Sequence, residues 1–149
     1  MRHALLIALA AVLVAAVPAS AQERPPLRAV LESCATGALP AERIATFMGS
    51  MPARAGSERM WMRFDLQRRR SARSDWRRVD DVPGFGTWER SLPRRAGFVF
   101  HKRVTGLRAP ALYRSVVRFR WYAADGALKR SARRRTRTCR QPDPRPDLK

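Results

Sequence analysis

From Leu112 to Tyr122 the chain alternates with a period of two: Tyr113, Ser115, Val117, Phe119 and Trp121 fall on one side, and Arg114, Arg118 and Arg120 on the other. A helix, with 3.6 residues per turn, would scatter these residues around its axis. A strand with one face in a core and the other in water sorts them. The same alternation runs from Arg59 to Gln67, where Met60, Met62, Phe64 and Leu66 oppose Arg63, Asp65 and Gln67, with Trp61 on the polar side. It returns from Gly97 to Val104, where Phe98, Phe100 and Val104 oppose Val99, His101 and Arg103. No segment has the spacing of a long amphipathic helix.

Turn chemistry separates further candidate strands. Gly37 and Pro40 divide a strand over 27–34 from one over 43–51, and the charged stretch 68–73 precedes a short edge strand over 75–79 centred on Trp76. Pro83, Gly84 and Gly86 form another turn, and Asp125-Gly126 is a hairpin signal, because glycine takes the positive φ such a turn requires. A last strand is expected over 128–139. Its Cys139 does not share parity with Leu128 and Ala132, which calls for a bulge or twist. About seven short antiparallel strands with regular turns point to an all-β chain folded as a β-sandwich.

The ends have a different character. Arg2 and His3 precede an unbroken apolar run, Ala4 to Val17, and Pro18 is followed by Ala19-Ser20-Ala21, a small-x-small cleavage pattern. Residues 1–21 read as a secretory signal peptide, with the mature chain starting at Gln22 and working in a secreted, extracytoplasmic setting. The run is shorter than the roughly 20 residues a membrane span needs, and no later stretch approaches that length. Residues 22–26 read as a polar lead-in, 27–140 as one domain, and 141–149, with Pro142, Pro144 and Pro146, as a flexible tail that does not join a sheet.

In an exported chain two cysteines, Cys34 and Cys139, read as one disulfide joining the first and last strands. Closing a loop of about 100 residues contributes on the order of 4.7 kcal/mol in the chain-entropy model. A zinc site is a poor alternative, since two cysteines lack companion ligands.

Such a staple matters because the chain is strongly charged: 31 Lys and Arg stand against 12 Asp and Glu, a net charge of +19. Loss of Arg2 with the leader brings this to +18. The field attracts polyanions such as an anionic envelope polymer, an acidic lipid surface or nucleic acid without sequence preference, and another extracellular protein is a further candidate partner. Arginine predominates over lysine, 28 to 3, and its planar fork suits phosphate and carboxylate. Compositional drift from coding sequence rich in G and C gives the same bias. If the last two strands align, Arg114, Arg118, Arg120, Arg130, Arg133 and Arg135 form a cationic sheet face. The other reading of that face is a solvated one that resists edge aggregation. Trp61 and Trp76 are the candidates for exposed aromatics able to stack on sugars or bases, whereas Trp121 belongs to the core.

The segment Val104-Thr105-Gly106-Leu107-Arg108-Ala109-Pro110-Ala111-Leu112-Tyr113 resembles the E to F corner of fibronectin type III and related immunoglobulin-like domains. That resemblance implies a tyrosine corner, with Leu107 packed in and the Tyr113 hydroxyl bonded back to the corner's backbone. Ser115 stands where antibody-type domains carry their second cysteine, so the resemblance is to secreted bacterial immunoglobulin-like, CARDB-like modules.

Catalytic signals are sparse. His101 is the single histidine of the mature chain, and no nucleophile elbow, zincin or phosphate-loop pattern is present. No cofactor, metal or catalytic residue is expected. The carboxylates Asp80, Asp81 and Glu89 are what a small secreted hydrolase or a toxin-like nucleic-acid enzyme would have to use, but adjacent residues of an extended chain point to opposite faces. The leading expectation is a non-enzymatic binding module; the alternatives are that enzyme and a structural domain without ligand.

Overall fold

The computed structural model describes residues 24–145. The signal-peptide reading, the start at Gln22 and the last four residues of the tail lie outside them. Nine strands follow in order: β1 Arg28–Ala35, β2 Ile44–Pro52, β3 Arg59–Arg69, β4 Arg77–Arg78, β5 Trp88–Arg90, β6 Gly97–Val104, β7 Ala111–Tyr122, β8 Leu128–Arg135 and β9 Cys139–Gln141. All pairings are antiparallel. One sheet has the order β1-β2-β6; the other runs β4-β3-β7-β8, with β5 also on β3 and β9 also on β7. Among the described residues the only helical turn is a 3₁₀ turn, Pro40–Glu42, and no helix is long and apolar enough to cross a membrane.

The period-two segments set the core. Met60, Met62, Phe64 and Leu66 of β3 and Tyr113, Val117, Phe119 and Trp121 of β7 pack with Phe47 and Met51 of β2, so the two sheets share one interior. Gly49 of β2 faces the inner side chains of the other sheet. A Cβ there would meet the side chains of Met62, Phe64 and Val117, which occupy the volume instead. Phe85, from the loop between β4 and β5, closes the open edge of this core and meets the Phe47 ring edge-on at 6.3 Å.

The count of nine corrects the expected seven. The stretch around Trp76 yields only β4, and β5 pairs separately with the other half of β3. The last strand breaks at Thr136, whose side chain enters the ladder: Ser115 N–H donates to Thr136 Oγ1 and Thr136 N–H donates to Ser115 O, both at 3.0 Å. β7 advances from Tyr113 to Val116 while the opposing chain runs from Cys139 to Arg135, one residue more. That extra residue resets the parity and turns Cys139 inward.

Cys139 is buried and bonded to Cys34, with Cα atoms 5.4 Å apart, so the disulfide ties β1 of one sheet to β9 of the other. The tail boundary needs a second correction. Gln141 is not free: it pairs with Ala111 and is 1% exposed. Its amide donates to Ala35 O at 3.0 Å and lies 3.2 Å from Cys139 Sγ, a second tie between the sheets at the same border. Its prolines begin only after that strand ends.

Replacing both cysteines (Cys34→Ser with Cys139→Ser) is expected to lower the unfolding free energy by roughly 2–5 kcal/mol. Urea titration at neutral pH checks this, and an unchanged midpoint would contradict a stapling role.

Candidate polyanion-binding face

The outer face of the six-stranded sheet follows from register. Arg63 of β3 lies opposite Arg118 of β7, and Arg118 lies opposite Arg133 of β8, which lines up three arginines across three strands. One step along, Asp65 is opposite Val116, and Val116 is opposite Arg135. Like charges directly opposite one another destabilise a sheet, so this arrangement needs a counter-charge.

Asp65 supplies it. Its carboxylate is 4% exposed and accepts from Arg63 Nε at 2.8 Å and from Arg118 Nε at 2.7 Å, while Arg78 approaches to 3.9 Å. It is the one buried acidic residue among those described. Around it lies an open basin of about 280 Å³ whose cations are Arg78, Arg114, Arg118, Arg133 and Arg135. Arg114 is held in place by Gln67, whose Oε1 accepts from Arg114 Nε at 2.8 Å. Burial, then the guanidinium groups of Arg135 and Arg69, lower the Arg114 pKa from its ordinary value, although arginine stays protonated at neutral pH. Arg133 and Arg135 make no ion pair with any described residue. Asp65 is the one carboxylate lining the basin beside five guanidinium groups, of which it reaches Arg118 and, more distantly, Arg78, so the basin keeps a surplus of positive charge that an anion would relieve.

Two of the expected residues lie outside the basin, and one of them is off the face altogether. Arg130 is opposite Trp121, a core residue, so strand alternation puts it on the other side of β8 from Arg133 and Arg135. Arg120 is on the outer face but beyond the basin, stacked over Trp88 at 4.4 Å. Trp61 and Trp76 also differ from expectation. Both are half-buried rather than open, because guanidinium groups and other rings pack against them. Arg90 lies 4.2 Å from the Trp61 ring centroid, and Tyr122 and Trp88 pack against the same residue at 4.7 and 6.3 Å. Trp76 is contacted by Arg114 at 4.1 Å and Arg69 at 4.6 Å. The aromatic side chains act as spacers between cations.

Leu107 and Tyr113 are buried at the corner before β7, where Tyr113 Oη accepts from Arg108 N–H at 2.9 Å. The carboxylates considered for hydrolysis are dispersed into separate contacts. Asp80 is paired with Arg78 at 2.6 Å, Glu89 is paired with Lys102 of the other sheet, and Asp81 is exposed. His101 Nδ1 lies 2.8 Å from a Glu32 oxygen on the three-stranded sheet.

Arg78, Asp65 and Gln67 complete the site without having been singled out for it. Asp65 carried a readable signal: it is the lone carboxylate on the polar side of a strand otherwise rich in arginine. Arg78 had none, since it depends on β4 pairing back onto β3 with Arg78 opposite Gln67. In comparisons with known proteins, no family model matches the chain, and neither a curated protein nor a solved structure shows significant similarity to it.

Asp65→Asn is expected to cost about 1–3 kcal/mol, since it removes the charge-assisted bonds to Arg63 and Arg118. The loss should shrink as salt screens the repulsion among the remaining arginines. Thermal melts across a salt series check both points; a loss of stability independent of salt would contradict the electrostatic role.

Proposed function

We propose that this chain is a non-enzymatic, extracytoplasmic binding module of the immunoglobulin-like β-sandwich class, and that its cationic sheet face docks anionic polymers. The fold reading is supported by strand order. With β1, β2 and β6 taken as A, B and E, and β4, β3, β7 and β8 as C′, C, F and G, the two sheets follow the plan of that class. The bond from Arg108 N–H to Tyr113 Oη is the bond a tyrosine corner requires. The disulfide fits an oxidising compartment, where anionic envelope polymers or acidic protein surfaces are the available partners.

The observation that carries the function is the five-arginine basin with Asp65 as its one buried counter-charge. Arginine forks match carboxylate, sulfate and phosphate oxygens two at a time. The basin is shallow and open, which suits a flexible chain more than a small enclosed substrate. No observation favours the hydrolase reading, because Asp80 and Glu89 are each committed to a separate cation.

Fluorescence anisotropy with labelled dextran sulfate tests the proposal. Affinity should fall by orders of magnitude between about 50 and 200 mM salt, as counterion release requires for several contacts. It should also fall by about tenfold or more in the combined variant Arg118→Gln, Arg133→Gln and Arg135→Gln. Absent or salt-insensitive binding would overturn the reading.

A further inference from the structure

A second concavity lies at the end of the same sheet, outside the basin. Its walls come from the β3–β4 connection and from the corner before β7, and it encloses an open groove of about 810 Å³. Six guanidinium groups line it, those of Arg68, Arg69, Arg70, Arg73, Arg77 and Arg108, with Asp75 as the one carboxylate and Ala109, Pro110 and Ala111 as an apolar floor. None of the six makes an ion pair with any described residue.

Three features mark this as more than a solvated turn. Arg68 and Arg77 face each other in the β3–β4 ladder, a like-charge pair that costs stability and that a lysine-free, polar hairpin would have no reason to keep. Arg69 Nε is buried without a hydrogen-bond partner, with its guanidinium stacked on Trp76, so a charged donor is left unsatisfied at the border of the groove. The walls are also braced. Ser71 and Ser74 close the turn on each other through Ser71 N–H to Ser74 Oγ at 3.1 Å and Ser74 N–H to Ser71 O at 3.2 Å. Arg69 Nη1 donates to Ala72 O at 3.1 Å, and the Tyr113 hydroxyl fixes the backbone of Arg108. A backbone frame held in this way has less entropy to lose when the groove captures an anion.

We infer that this groove is a separate site for a compact anion of linked phosphates, a soluble oligophosphate. Arginines gathered from both walls around one volume match a ligand that concentrates several negative charges over a few atoms, and an arginine fork can take two phosphate oxygens. A carboxylate polymer spreads its charge too thinly to use them together. Single-stranded nucleic acid fits less well, because its binders stack bases on open aromatic rings. No aromatic side chain lines the groove, and Trp76 beside it is already occupied by Arg69 and Arg114.

Isothermal titration calorimetry with sodium tripolyphosphate, near an ionic strength of about 0.15 M, tests this assignment. One saturable site is expected. The combined variant Arg70→Gln, Arg73→Gln and Arg108→Gln should weaken it by about tenfold or more, while Arg118→Gln with Arg133→Gln and Arg135→Gln leaves it nearly unchanged. Circular dichroism confirms that each variant is folded, and the single change Arg73→Glu should act in the same direction. Equal losses from both sets of variants, no saturable heat, or equally tight binding of an oligodeoxynucleotide of matched charge would each overturn it. The groove and the basin share none of the mutated residues, so failure of polymer binding on the face would leave this result standing.

Discussion

Asp65 sits under a row of arginines that could not otherwise share a sheet face. Its two oxygens hold Arg63 and Arg118 across neighbouring strands, within hydrogen-bond distance and nearly out of solvent. Without it, the register that places Arg63, Arg118 and Arg133 in line would set like charges against each other along the longest ladder of the molecule. With it, two of the three are bonded and oriented by one shared negative charge, and Arg133 and Arg135 are left without an ion-pair partner among the described residues. The same bonds that make the face tolerable therefore leave it attractive to anions.

A face of this kind pushes outward, and the two sheets are tied at three borders. The disulfide and the Gln141 amide join β1 to β9. Trp121, fully buried on β7, donates its indole N–H to Pro52 O at the end of β2, at 2.8 Å. Lys102 of β6 pairs with Glu89 of β5 across the remaining border. Each tie links one sheet to the other, so the repulsion among a surplus of cations is resisted by covalent, hydrogen-bonded and ionic contacts as well as by burial. The core itself is ordinary in chemistry and close-packed, to the point that Gly49 has no room for a side chain.

Much of this was legible in residue order. Alternation in β3, β6 and β7 assigned the inward residues, because a half-buried strand cannot hide a polar side chain on its core face. The Asp125-Gly126 turn is present, with Gly126 at φ 84°. What escaped depended on events that alternation does not encode. Thr136 breaks the last strand by substituting its hydroxyl for a backbone acceptor, which moved Cys139 and Gln141 into β9. Arg130 was grouped with Arg133 and Arg135 although it differs from them in parity, and its pairing with Trp121 puts it on the other side of β8. The stacking of Arg69, Arg90, Arg114 and Arg120 on tryptophans joins residues distant in sequence, so Trp61 and Trp76 looked open when read alone. Arg78 joins the basin through the β3–β4 ladder, where it lies opposite Gln67.

The claim at the centre of this account is that charge left over around Asp65 is what an anionic partner meets. NMR observation of the arginine Nε–Hε signals during titration with an anionic polymer tests it most directly. The account expects the signals of Arg114, Arg118, Arg133 and Arg135 to move together and to saturate, while the signal of Arg63, the less exposed of the two arginines bonded to Asp65 (23% against 51%), moves far less. Small shifts spread evenly over the chain's 28 arginines would contradict it, since they would mean that the polymer meets a diffuse positive field and no built site.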